Sequence, residues 1–289
     1  MNNNNKSFSP NEFKEKLSQE NPLFKGIAAC DSKDLIQFLF ERFHNELNII
    51  DNNFNNDYTQ NDQLDEQKMI NLFKKEFSAN YNSIISNLFY GILETKCECQ
   101  GGCRSIKYNF QVYSFIEFPL EKVNQFCFKI GRKINDNNNK NPDINLYECF
   151  EYYRSKELMT GDNTMYCNIC RKNCDSFYET SLYFTPKYLV INLNRGRGAV
   201  YECNVIFPEV LEINNFVSVK KNINYELYAV ICHIGPSSMS GHFVAYCKNR
   251  NDKKWYLYND AFVTLCEKNN EYQKGMPYIL FYQNIIMID

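Results

Sequence analysis

No charge of either sign dominates this chain: 32 Lys and Arg stand against 34 Asp and Glu, a formal net charge of −2 over 289 residues. That balance, with no basic cluster, argues against a broad nucleic-acid or membrane-surface footprint. No apolar run reaches the roughly 18 residues of a membrane span. The opening "MNNNNKSFSPNEF" lacks the hydrophobic core of a signal peptide. The expectation is a soluble intracellular protein, cytoplasmic or nuclear, with no membrane and no nucleic-acid partner. Histidine is scarce. There are three, so any catalytic imidazole is His44, His233 or His242.

Cysteine, by contrast, is abundant. Thirteen is an odd number, however, and without a secretory signal it does not describe a disulfide framework. In a reducing compartment clustered cysteines bind metal and scattered ones serve as small apolar core residues. Cys127, Cys149, Cys203, Cys232, Cys247 and Cys266 are scattered through apolar runs and read as buried thiols.

Hydrophobic residues make up 44% of the chain and aromatics 16%, enough for one large domain or two small ones. The first third carries helical periodicity. Asp31 and Ser32 offer N-cap oxygens, and Leu35, Ile36, Leu39, Phe40, Phe43 and Leu47 form one stripe behind them. Met69, Ile70, Phe73 and Phe77 repeat the spacing, as do Ile84, Ile85, Leu88, Phe89 and Ile92. "DNNFNNDYTQNDQ" and "NDNNNKNPD" read as solvated loops. From about residue 105 the pattern is of short, aromatic, β-branched strands: "YNFQVYSFIEFPL", "YLVINL", "YELYAVICHIG", "HFVAYCK", "KWYLY" and "PYILFYQ". Helices first and a mostly antiparallel sheet afterwards indicate an α+β layout.

"TMYCNIC" places Cys167 and Cys170 in a C-x-x-C, whose tight knuckle aims two sulfurs at one ion. "KCECQGGC" supplies Cys97, Cys99 and Cys103 as candidates for the other half of a tetrahedral four-cysteine zinc site. The alternative is a metal-free vestige. A redox C-x-x-C would sit in a βαβ context, which is lacking here. Cys174 lies just beyond the knuckle and is not expected to be a ligand.

In "SGHFVAYCKNRNDKKWYLYND", His242 opens one strand and Asn259 and Asp260 end the next, with a polar turn between. Such a hairpin sets the imidazole beside a side-chain acceptor. A general base needs that acceptor to fix its tautomer and ring angle. Gly241 before it leaves room for a substrate backbone. A partly buried structural histidine is the competing reading.

This stretch resembles the histidine box of the ubiquitin-specific proteases, papain-like cysteine deubiquitinases. "NPLFKG…DSKDLIQFLFERFHNELN" is similar to the helix that follows the family's cysteine box. "CECQGGC…KYNFQVYSFIEFPL" with "YCNICRK" is similar to its zinc-ribbon fingers. "LYFTPKYLVINLNRGRG", "FPEVLEI", "YELYAVICHIGPSSMSGHF" and "PYILFYQ" follow in the family's order. The resemblance implies a thumb–palm–fingers domain over 1–289, with 1–92 as helical thumb and 93–289 as fingers and palm. It also implies a structural Zn²⁺, ubiquitin or ubiquitinated proteins as partners, and cleavage after ubiquitin's C-terminal glycine. His242 then matches the general base, Asn259 the residue that orients it, and Asp260 an acid that assists near the oxyanion.

The family's cysteine box, roughly G-N-T-C-[YF]-[ML]-N-S, has no counterpart among these residues. Two expectations follow: a domain whose N-terminal thumb part is missing, or a non-catalytic ubiquitin-binding relative. Cys30, at a helix N-terminus, mimics the nucleophile. No Asn precedes it, and its stretch aligns better with the later helix. His44 and His233 read as structural.

Overall fold

The computed structural model describes residues 9–26, 30–50, 65–132, 141–196, 201–219, 223–237, 240–267, 271–273 and 275–285. The loop expected over "DNNFNNDYTQNDQ" and most of that over "NDNNNKNPD" lie outside the described residues.

Four helices come first: α1 (Asn11–Glu20), α2 (Ser32–Leu47), α3 (Glu66–Asn80) and α4 (Ile84–Phe89). Each of the last three starts at an oxygen that caps orphan amides. Asp31 accepts from the Lys33 N–H, Asp65 from Lys68, and Ser83 forms a capping box with Ser86. His44 of α2 is buried and bonds Ser83 Oγ through Nδ1 at 2.7 Å. Burial lowers its pKa, so this imidazole ties α2 to the α4 cap as a neutral group. The helical stripe extended to Ile92 stops short: α4 ends at Phe89, and Ile92 pairs with Val112 in a sheet. Ladder hydrogen bonds there override the 3.6-residue periodicity.

The fingers are a four-stranded antiparallel sheet in the order β2-β1-β8-β5, from β1 (Gly91–Cys99), β2 (Ile106–Tyr113), β5 (Glu157–Met159) and β8 (Ser176–Phe184). At its far end lies the two-stranded ribbon of β6 (Met165–Cys167) and β7 (Lys172–Cys174). Ile70 of α3 packs on this sheet at Ile92, Phe110 and Tyr183.

The larger sheet runs β15-β14-β13-β12-β16-β9-β3. Its members are β3 (Ile116–Pro119), β9 (Tyr188–Asn194), β12 (Asn224–Ser237), β13 (Ser240–Lys248), β14 (Trp255–Asn259), β15 (Phe262–Leu265) and β16 (Met276–Ile285). β11 (Val210–Glu212) pairs with β12 off that path, and β4 (Ile144–Asn145) with β10 (Val205–Ile206) makes a small parallel pair. All neighbours in the larger sheet are antiparallel except β3 and β9. "YNFQVYSFIEFPL" is therefore split between both sheets, with Tyr113 ending β2 and Ile116 opening β3.

Two helices, α5 (Leu120–Lys129) and α6 (Leu146–Tyr153), stand where aromatic content suggested only strands. Asn145 and Glu148 form a capping box at the start of α6, a signal visible in "NLYE". Both helices bury apolar faces in the main core, with Val123, Cys127, Leu146, Cys149 and Phe150 against Phe118, Leu189, Ile191 and Leu193. Of the scattered cysteines, Cys127, Cys149 and Cys232 are fully buried, whereas Cys203, Cys247 and Cys266 are half-buried. Arg195 is also buried, its guanidinium donating to the carbonyls of Cys203 at 2.9 Å and Pro277 at 3.0 Å. It holds the segment after β9 to β16.

Candidate active site and candidate metal centre

β13 and β14 pair antiparallel, Ala245 against Tyr258, and the polar turn between them closes with the Asn249 N–H donating to the Lys254 carbonyl. The alternating apolar residues of both strands face the core, as Val244 and Trp255 show. That register carries His242 to the end of β14. There Nε2 lies 2.7 Å from Asn259 Oδ1 and 3.7 Å from Asp260 Oδ2. The first distance is a hydrogen bond and the second is not. Asn259 Oδ1 is an acceptor, so Nε2 carries the proton and Nδ1 keeps the lone pair. Asp260 starts the two-residue loop into β15 with φ +50°, a left-handed conformation that Asp tolerates. The His242 side chain is 43% exposed and that of Asp260 79%, so the ring is reachable from solvent.

Gly241 has a structural reason that sequence alone did not reveal. A Cβ there would lie 2.0 Å from His233 Nε2. His233, on β12, is buried, with its ring against Phe243 at 5.0 Å. Burial and the neighbouring Arg195 lower its pKa. The contact crosses a strand pair, so only the register could expose it. Gly241→Ala is expected to cost about 1–3 kcal/mol through overpacking. In denaturant melts, His233→Ala should recover most of that loss, and additive effects would count against the contact. Because His233 is held neutral, the unfolded chain takes up its proton first on acidification. Stability should therefore decline as pH falls below about 6.5.

Cys30 sits just before the Asp31 cap of α2, its thiol 3.1 Å from the Leu23 carbonyl. Among the described residues no thiol hydrogen-bonds His242.

At the tip of the fingers, Cys99, Cys103, Cys167 and Cys170 bring their sulfurs within 4.8 Å of one another. Cys103 to Cys167 is 3.5 Å and Cys99 to Cys170 is 3.9 Å. Four sulfurs at about 2.3 Å from one ion in a tetrahedron would be about 3.8 Å apart, so the set fits a four-thiolate metal site. Backbone amides support the thiolates: Gly101 N–H points at Cys99 Sγ and Cys170 N–H at Cys167 Sγ. The Cys170 amide and the Ser105 hydroxyl pull Cys167 down to about 6. Burial pushes Cys99 up to about 11. An ion must therefore displace a proton from Cys99 but finds Cys167 ready.

Cys97 is not part of this group. It lies inside β1, opposite Lys107 and Tyr178, while Cys99 ends the strand at the ribbon. The Cys97 sulfur is outside the group of four that lie within 4.8 Å of one another. Cys174 packs beside the four, and a Cβ at Gly101 would meet its sulfur at 2.5 Å. Glycine there lets the first knuckle close.

Known proteins are similar to this chain in sequence and in fold. The sequence profile of the ubiquitin carboxyl-terminal hydrolase family matches residues 1–282. Ubiquitin carboxyl-terminal hydrolase 2 of Homo sapiens is 27% identical over 289 residues, covering 95% of this chain and 44% of the relative. Ubiquitin carboxyl-terminal hydrolase 21 of Homo sapiens is 27% identical over 298 residues, covering 95% and 49%. The chain thus spans less than half the length of these relatives. Among solved structures, the SAGA DUB module of Ubp8, Sgf11, Sus1 and Sgf73 bound to monoubiquitin superposes with a TM-score of 0.67 at 22% identity, covering 94% of this chain and 52% of that one. That likeness shows the fold: mixed helix and sheet with a ribbon of cysteines.

Proposed function

The chain belongs to the ubiquitin carboxyl-terminal hydrolase family, and from that premise we propose that it serves thiol-dependent hydrolysis of the bond after the C-terminal glycine of ubiquitin. The observation that carries the proposal is the 2.7 Å bond between His242 Nε2 and Asn259 Oδ1. With Nε2–H held by Asn259, Nδ1 is free to take the proton of an attacking thiol. The thiolate adds to the carbonyl carbon, and the imidazolium returns the proton to the leaving amine. The same nitrogen then deprotonates the water that releases the acyl group. Asp260, at the rim, would assist rather than orient the ring. A purely ubiquitin-binding role is disfavoured, because binding gives no reason to keep this pair at hydrogen-bond distance.

Cys99, Cys103, Cys167 and Cys170 would hold a zinc ion in a closed set. Four thiolates leave no position for substrate, so the ion would brace the fingers and take no part in the reaction. Residues 1–92 would act as thumb and 93–289 as fingers and palm. We place the chain in the cytoplasm or nucleus, where a reducing environment keeps clustered thiols available for metal.

The test is a ubiquitin vinyl-type thiol trap, with the adduct mapped to its cysteine. The trap is used on the chain alone and with a cysteine-box segment added in trans. Adduct in either arm that fails to form in His242→Ala supports the reading. An adduct lost in Cys30→Ala would make Cys30 the nucleophile. No adduct in either arm, or one indifferent to His242, would overturn the proposed chemistry.

A further inference from the structure

A cavity far from His242 in sequence opens beside β1 and β8, at the N-terminal end of α3. Glu66, Glu94, Glu179 and Tyr108 line it. Glu94 is the unusual member. It is a carboxylate only 7% exposed, on β1. Its Oε2 accepts from Ser218 at 2.6 Å and from Ser181 at 3.1 Å, and these hydroxyls lie 2.6 Å apart. Its Oε1 is buried with no partner. A carboxylate oxygen removed from water without a donor loses its hydration and gains nothing in exchange. Such a group lining a cavity marks a place for a donor from outside.

Each basic residue of the wall stands beside an acceptor, one of them the wall's own Glu179. Arg154 donates to the Asn215 carbonyl, and Lys96 stands directly opposite Glu179 in the β1–β8 register. A divalent ion does not fit, because it needs several convergent oxygens. Among the described residues only the four cysteines converge as metal ligands do. A side-chain cation fits better. Three carboxylates against two cations leave the wall negative, and the Tyr108 ring offers a face on which a planar cation stacks.

We propose that this cavity receives one arginine side chain of a partner protein, its guanidinium donating to Glu94 Oε1 and lying against Tyr108. The inference is independent of the chemistry at His242.

The test titrates the full chain with N-acetyl-arginine amide, following the backbone amide resonances of Ser181 and Ser218. The neutral isostere N-acetyl-citrulline amide and N-acetyl-lysine amide are run in parallel. Saturable shifts are expected with arginine, about tenfold weaker with citrulline, and lost in Glu94→Gln, since charge-assisted bonds carry the difference. Glu66→Gln, at an exposed rim position, should weaken binding a few-fold while leaving the fold intact, and it decides the matter if Glu94→Gln does not fold. Shifts equal for arginine and citrulline, undiminished in the glutamine variants, or absent throughout would overturn the proposal. Lysine binding as tightly as arginine would overturn the choice of guanidinium.

Discussion

His242→Ala is expected to lower hydrolysis of a ubiquitin C-terminal fluorogenic amide, measured in whatever assembly supplies the thiol, by on the order of 10⁴–10⁶ in kcat. Without the imidazole nothing takes the thiol proton or protonates the leaving amine, and members of such a unit lose activity together. Asn259→Ala should cost less, on the order of 10²–10⁴, because the ring remains but its tautomer and angle are no longer fixed. Asp260→Asn should cost least. Its carboxylate lies 3.7 Å from Nε2, beyond a hydrogen bond, and its side chain is 79% exposed. The ranking is the sharp part of the expectation. Should Asp260→Asn prove more damaging than Asn259→Ala, the orienting residue has been misassigned, although the hairpin that carries both would stand.

Metal removal should have the second large effect. A four-thiolate ion contributes on the order of 10 kcal/mol to small domains that depend on it. Stripping it should loosen the ribbon of β6 and β7 and the end of β1 well before the larger sheet melts. Elemental analysis of the purified chain should give one zinc per molecule, and acidification should release it as protons compete for the thiolates. Cys167→Ser should lose the ion and lower the melting temperature of the fingers. Cys97→Ser should keep it, since that thiol stands inside β1 away from the four. Retention of zinc in Cys167→Ser, or its loss in Cys97→Ser, would contradict the ligand set.

The parts of this protein that were legible in its sequence are those in which local pattern and tertiary role coincide. The hairpin holding His242 and Asn259 shows period-two alternation on both sides of a polar turn, and strand pairing converts that alternation directly into side-chain proximity. The C-x-x-C of Cys167 and Cys170 is likewise a local device. Its counterpart was harder. Cys97 and Cys99 both precede Cys103, and only the end of β1 at Cys99 separates them. Helix α6 was hidden by "YECFEYY", whose aromatics suggest a strand, though the Asn145–Glu148 capping box outweighs them. The fit of His233 under Gly241 and the bonds of Glu94 to Ser181 and Ser218 were out of reach. The latter join residues 87 and 124 positions apart, and no periodicity encodes such a pairing.

The thiol cluster also bears on the chain as a polymer. Cys103 and Cys167 meet although 64 positions separate them. The loop they close contains α5 and α6, which pack not in the fingers but in the main core. An ion that stayed bound here in the unfolded chain would close that loop as a disulfide does, and a loop of that length would remove about 4 kcal/mol of denatured-state freedom. The benefit falls on the distant helices as much as on the ribbon, because their search for the large sheet begins from a shortened tether. A clip at the tip of the fingers would thus speed the assembly of a core it never touches.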